Sequence, residues 1–482
     1  GTGTLAALPF GTAGAGGYRQ AVPGLSDLSQ DRICEGTAGA GEYIGGGSVP
    51  EGRLWKCVAF YQAVSGGYRC DSRKIQEKSK GERRRRTGVK NQERKEARRY
   101  DTPYRCRELT AGVYSGYAED KKKRAEETFA QEKRFYPEKS GYHIYFGDIH
   151  GHSSLSDGSP DIDAYYQDIR DREKLDFCAL TDHDHGGVGS SELFGEKWEL
   201  TKRKAAEYYE PGRFTTILGY ERDSYPWYNN LVVYYNSHEG EMLRGEVDGE
   251  MTKEELLAAL RREDILLVPH DTYNLTAGAD LGSIPETLFT PLIEVYSRGD
   301  SAEYFGNPCN GEVYRCEGGF WQDALKRGAK MGCIAASDDH FRGVKGYEKN
   351  YRGIDAYAGK TGVLAEKNTL EAIFEALKAR RCYGFMDGRI WIDFRINGHY
   401  MGEEFSDRND RSVYIKVEAD APVKTITVVK NCRNYIETRQ TELMIFDYRV
   451  ERETDNYYLR VELADGRFAW TSPIWITLEK NK

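Results

Sequence analysis

Between Tyr142 and Phe341 short apolar runs end repeatedly in His, Asp or Glu, and this recurrence constrains the fold more than any single motif. The segments are Gly147-Asp148-Ile149-His150-Gly151-His152, Thr181-Asp182-His183-Asp184, Gly219-Tyr220-Glu221, Val268-Pro269-His270-Asp271 and Ser337-Asp338-Asp339-His340. Taken singly, each is an ordinary polar strand end, cap or turn. In order, they imply strands that deliver their C-terminal ends to one place. The apolar runs predict strands over 143–147, 177–180, 214–218, 265–268, 292–296 and 333–336. Helical spacing predicts helices over 162–172, 253–262, 321–327 and 370–380, and Thr252 with Glu255 forms a capping box for the second. Alternating short strands and helices admit a parallel α/β barrel or a doubly wound sheet. Ligand candidates on many strand ends favour the barrel, because a switch-point crevice draws on fewer strands.

A chain of 482 residues exceeds one ordinary core. After Gly388 the pattern changes to strands alone, over 391–396, 412–418, 425–429, 457–463 and 474–478, with turn signals at Asn397-Gly398 and Asp465-Gly466. A small all-β sandwich is expected there. Residues 1–138 sustain no period: Gly-Thr-Ala-Gly-Ala-Gly occurs at 11–16 and 36–41, and charge dominates around Arg83-Arg84-Arg85-Arg86 and Lys121-Lys122-Lys123-Arg124. That region reads as low-complexity, poorly ordered or linker chain. The expected division is 1–138, a metal-hydrolase barrel over 139–390, and a sandwich over 391–482.

The net charge of −8 argues against a generally basic nucleic-acid binder, and the basic runs lack interleaved aromatic residues for base stacking. No apolar run approaches the ~18 residues of a membrane helix. With no secretory signal pattern, the expectation is a soluble, cytoplasmic chain without a membrane partner. The chain opens on Gly rather than Met, which suggests a processed or incomplete N-terminus. Ten cysteines include no CxxC pair, so reduced packing residues are expected, with Cys309 and Cys316 able to bridge in an oxidising compartment.

In an extended segment His150 and His152 face the same side and can grip one cation. Imidazole suits Zn, Mn or Fe, and Asp or Glu oxygens can bridge two cations. The mixed set therefore suggests two or three divalent ions. The absence of a Cys ligand argues against a structural zinc site.

His150-Gly151-His152 with Asp157, Thr181-Asp182-His183, Glu221, Pro269-His270 and Asp338-Asp339-His340 resemble the successive motifs of the PHP (polymerase and histidinol phosphatase) superfamily. The resemblance implies a distorted (β/α)7 barrel with its metals at the C-terminal mouth, and phosphoester hydrolysis. The later segments, Ala376 to Tyr383, Gly388-Arg389-Ile390, Ala464-Asp465-Gly466 and Trp470 to Trp475, are similar to a PHP-like branch with a C-terminal sandwich, itself similar to carbaryl-hydrolase-type metallohydrolases. Carried over position by position, it implies one cation on His150, His152, Glu221 and Asp338. Glu221 would bridge to a second cation held also by His270. Asp157, His183 and His340 would hold a third. After Glu221 the family often has a His where Tyr228-Asn229-Asn230 stands here; the second site would then be weak, use a water, or recruit His238.

The expected reaction is attack of a metal-activated hydroxide on a phosphate ester of a small molecule. Arg298 is the candidate clasp for a substrate oxyanion, and Asp184 and His185 are candidates for proton transfer. The same metals would also serve carbamate or carboxylic-ester hydrolysis. A metal-stabilised binding protein without turnover is the alternative of a different class.

Overall fold

The computed structural model describes residues 141–184, 193–223, 230–243, 251–274, 278–282, 284, 290–297, 299–309, 318–342, 357–408 and 411–479. The expectations for residues 1–138, His185, Arg298 and the Cys309–Cys316 bridge lie wholly or partly outside the described residues.

The first part alternates strand and helix: β1 (His143–Asp148), α1 (Ile162–Gln167), β2 (Phe177–Leu180), α2 (Glu196–Tyr208), β3 (Thr215–Arg222), β4 (Leu231–Tyr235), α3 (Lys253–Leu260), β5 (Ile265–Pro269), β6 (Leu292–Ser297), β7 (Asp300–Ser301), α4 (Trp321–Lys326) and β8 (Gly332–Ala335). A π-helical turn over Asp168–Arg172 extends α1. The capping box of α3 is formed: the Thr252 hydroxyl accepts from the Glu255 N–H, and the Glu255 carboxylate accepts from Thr252 N. Helix α2 and strand β4 are not among the sequence expectations. The inner stripe of α2 is only Trp198, Thr201, Ala205 and Tyr208 among Glu and Lys residues, which hides its period.

Strands β1, β2 and β3 are parallel neighbours, β4 runs antiparallel to β3, and β5 antiparallel to β4. Then follow β9 (Gly359–Ala365), α5 (Leu370–Lys378) and β10 (Cys382–Met386). Here the architecture departs from the expected (β/α)7 barrel. The free edge of β1 is occupied by antiparallel β9, with Gly147 opposite Thr361, so β8 cannot add a ladder there. Strand β8 instead pairs in parallel with β6 in a separate three-stranded sheet. The fold is mixed α/β and mostly sheet, and its large sheet is open. Its strands nevertheless wrap one core: Ala179, Ile217, Val232, Val268, Leu292, Ile334 and Val363 pack with Ile373, Phe374 and Leu377 of α5.

The remainder is β11 (Ile390–Ile396), β12 (His399–Tyr400), β13 (Glu404–Asp407), β14 (Arg411–Ala419), β15 (Val423–Lys430), β16 (Arg433–Thr438), β17 (Glu442–Asp447), β18 (Thr454–Leu463), β19 (Phe468–Thr471) and β20 (Ile474–Leu478). The sheet β12-β11-β14-β17 packs its alternate residues Ile392, Phe394, Val413, Ile415 and Leu443 against Ile426, Val428, Leu459 and Val461 of the large sheet. Two sheets sharing one apolar interior make a β-sandwich. Pairing of β10 with β19 runs the large sheet without a break from the N-terminal strands into the sandwich. Among the described residues no helix is long and apolar enough to cross a membrane.

Candidate metal centre

Parallel strands end at one height, and here the segments beyond their ends stay stitched together. Asp338 N donates to His150 O and His152 N to Asp339 O; on the other side Thr181 N donates to Gly151 O, and Glu221 N to Thr181 O. His183 and Glu221 form an isolated parallel bridge. These bonds fix 338–340, 150–152, 181–183 and 221 side by side. Across the interior, the Tyr234 hydroxyl donates to Ile149 O at 2.8 Å.

The side chains converge accordingly. His152 Nε2 lies 2.9 Å from Asp338 Oδ1 and 3.4 Å from Glu221 Oε2, while His150 Nε2 lies 3.1 Å from Glu221 Oε2. His270 Nε2 is 3.5 Å from Asp338 Oδ2 and 3.8 Å from Glu221 Oε1. Asp157 Oδ1 lies 3.3 Å from His340 Nε2, 3.5 Å from His183 Nε2 and 3.7 Å from His152 Nδ1. Among the described residues, four overlapping groups have ligand-competent atoms within 4.8 Å of one another: His150, His152, Glu221, Asp338; His152, Asp157, His183, His340; His150, His270, Glu294; and His183, Glu221, Asp223. The first is fully buried, whereas Asp157 is 35 % exposed. Among the described residues the cluster thus has a buried side and a more exposed one at Asp157.

Surrounding groups hold the loops. Asp182 accepts from Ser153 N at 2.7 Å, Ser153 Oγ at 2.7 Å and Ser156 Oγ at 2.6 Å, fastening the turn that carries Asp157. The same turn passes so close over His152 that a Cβ on Gly158 would sit 2.4 Å from the His152 carbonyl. Asp148 accepts from Ser337 N at 3.0 Å and from Lys360 Nζ at 3.0 Å, and pairs with buried Arg342. That network ties β1 and β9 to the Ser337-to-Arg342 segment. Asp271 and Asp338 take left-handed backbone at φ 52° and 50°, a conformation Asp tolerates better than most residues and one concentrated at functional sites.

Burial alone would raise the Glu221 carboxyl, but the His183, His150 and His270 imidazoles outweigh it and hold it well below the usual range. Glu294, also opposed by burial, is brought down to about 2 by His150 and His270. His183 is pushed up to about 10 because Glu221, Asp223 and Asp157 overcome its desolvation. Buried carboxylates facing imidazoles, rather than Lys or Arg, form a donor set that divalent transition ions accept. His152 adds a direct test of fit. Both ring nitrogens are buried with carboxylate oxygens close by, yet neither makes an aligned hydrogen bond. A buried imidazole with carboxylate oxygens beside it and no aligned hydrogen bond suits a cation.

His150, His152, Asp157, His183, Glu221, His270, Asp338 and His340 all stand in this one cluster. Asp184 is buried, its Oδ1 accepting from Asp223 N at 2.8 Å. His238 does not join: its Nε2 lies 2.9 Å from Thr216 O and its ring packs on Tyr209. Glu294 and Asp223 belong to the cluster but were not selected from sequence. Asp223 follows Glu221 at strand spacing, and Glu294 is a charged residue in the middle of the apolar run Leu292-Ile293-Glu294-Val295-Tyr296; both signals were readable.

No family model matches the chain. An uncharacterized protein of Chlamydia pneumoniae is 24% identical over 373 residues, covering 70% of this chain and 58% of the relative. One of Chlamydia trachomatis is 24% identical over 379 residues with the same shares, so the chain spans 58% of the length of these curated relatives. Among solved structures, a two-domain protein containing a predicted PHP-like metal-dependent phosphoesterase, from Bacteroides vulgatus, superposes with a TM-score of 0.37 at 15% identity. That match covers 71% of this chain and 97% of the other.

Proposed function

We propose that this chain is a metal-dependent hydrolase of PHP type that cleaves a phosphate ester of a small molecule. The observation that carries the reading is the sharing of His152 and Glu221 between overlapping ligand groups, which suits neighbouring cations better than a single one. His150, His152, Glu221 and Asp338 would hold the deep cation. Glu221 with His270, and Asp157 with His183 and His340, would hold the others, giving two or three. Bound divalent ions of the Mn, Zn or Fe class supply Lewis acidity and bring the pKa of water toward neutrality.

The chain's own residues account for the rest. The buried floor excludes bulk water from the reacting atoms and strengthens every electrostatic contact inside it. The Asp157, His183 and His340 edge, the exposed side of the cluster, is where substrate would enter. Arg298, immediately after β6, would clasp the substrate oxyanion, and His185 or Asp184 would pass a proton to the leaving oxygen. Supporting this division, residues 139–390 carry every proposed ligand and 391–482 the sandwich.

The test is to load the full chain with Mn, Zn or Fe, quantify the metal, and assay phosphomonoester, phosphodiester, carboxyl-ester and carbamate substrates. Phosphoester turnover is expected, with His150→Ala and Asp338→Ala lowering both metal content and rate by ~100-fold or more. Full activity in either variant would overturn the site. Turnover confined to carboxyl esters or carbamates would overturn the substrate class, and bound metal with no turnover would leave a binding protein.

A further inference from the structure

Glu294 has a placement that metal ligation by the other residues does not explain. It sits within β6, every residue of which is buried, and its neighbours along the strand are Ile293 and Val295. A charge there is strongly unfavourable unless it is compensated. Its compensation comes from two imidazoles carried by different strands: one oxygen, Oε2, accepts from His150 Nδ1 at 2.9 Å and from His270 Nδ1 at 3.0 Å. The two rings meet edge to face with centroids 4.6 Å apart.

Ring chemistry determines the consequence. A neutral imidazole has one N–H and one lone pair. If Nδ1–H is donated to Glu294, the lone pair of each ring is on Nε2. In both rings that nitrogen faces the central carboxylates: His150 Nε2 is 3.1 Å from Glu221 Oε2, and His270 Nε2 is 3.5 Å from Asp338 Oδ2. We infer that Glu294 is a positioning residue, a buried carboxylate that clamps His150 and His270 together through Nδ1 and so presents both Nε2 atoms to divalent cations. This rests on the metal-centre reading above and assigns Glu294 an orienting role within it.

A carboxylate suits the task better than an amide. A single oxygen must accept two N–H groups, and a cation on Nε2 makes each Nδ1–H a stronger donor toward negative charge. A residue kept only for packing would be replaced by Gln without consequence for metal.

The experiment uses the full chain, stripped with chelator and titrated with zinc chloride against a chromophoric competitor. The zinc-loaded protein, 15N-labelled at His, is also examined by long-range 1H–15N correlation. The wild type is expected to show two downfield imidazole Nδ1–H protons, both of which move in Glu294→Gln. Zinc affinity should fall ~10-fold in Glu294→Gln and up to ~100-fold in Glu294→Leu, with the Gln variant keeping the wild-type circular dichroism. If Glu294→Leu does not fold, the Gln variant and the wild-type spectrum still decide. Wild-type affinity with unmoved N–H protons in Glu294→Gln would overturn the clamp alone. So would the absence of Nδ1–H protons in the wild type, which would make Glu294 a direct ligand. A wild-type chain that takes up no zinc would overturn the metal reading and the clamp with it.

Discussion

The candidate metal centre and the C-terminal sandwich both bury carboxylates, but they neutralise them differently. In the sandwich Asp447 accepts from Lys430 Nζ at 2.8 Å, Tyr435 OH at 2.8 Å and Tyr457 OH at 2.9 Å. Beside it Asp455 accepts from Asn431 Nδ2 at 2.7 Å. In the centre Glu221 and Glu294 face imidazoles, and among the described residues neither pairs with Lys or Arg. A Lys–Asp pair has one stable arrangement at neutral pH. A carboxylate–imidazole cluster can exchange protons for cations. Buried charge therefore marks function by the kind of partner it has, not by its burial.

The largest effect is expected at the Lys430–Asp447 pair. Lys430→Met leaves Asp447 buried without its cation and should cost ~3–5 kcal/mol of unfolding free energy by denaturant titration. Metal content per folded chain should stay unchanged. A loss of metal in step with stability would mean that the two regions are not chemically separate.

Acid sharpens the same contrast. Burial opposes ionisation of Asp447, but Lys430 and its other donors win and hold the carboxyl below its ordinary range. A depressed folded-state pKa gives stability that is present above the unfolded value of ~3.9 and is lost as pH falls through the folded value. Asp447→Asn should be less stable than wild type at pH 7, and the gap should narrow as pH falls below about 4. A gap independent of pH would remove the electrostatic account.

Smaller effects are expected from the supports. Asp182→Asn weakens the fastening of Ser153 and Ser156 and should lower zinc affinity ~10-fold with little change in melting temperature. Thr252→Ala removes the cap of α3, remote from both charged clusters, and should cost ~1 kcal/mol with metal affinity intact. A metal effect there would show that stability alone drives binding.

Most ligand candidates were legible because strand ends force a change from apolar to polar residues just where a parallel sheet gathers its mouth. Glu294 escaped because it lies inside a strand, where the reading follows apolar period, and its meaning depends on His150 and His270, 144 and 24 residues away. The topology was less legible than the site. Strand β9 reads Gly-Lys-Thr-Gly-Val-Leu-Ala, with weak strand propensity, yet it takes the edge of β1 and keeps the barrel ladder open. In the sandwich the central strands β11, β14, β15 and β18 stood out by their apolar alternation. Strand β16, half exposed and carrying Arg433, Asn434 and Glu437, did not.

The most direct test of the central claim is the metal stoichiometry of the full chain by mass spectrometry of the elements, with and without Glu221→Ala. A shared bridging carboxylate predicts at least two divalent ions per wild-type chain and the loss of more than one on that single substitution. Equal metal in the two proteins, or one ion or none in the wild type, would contradict it.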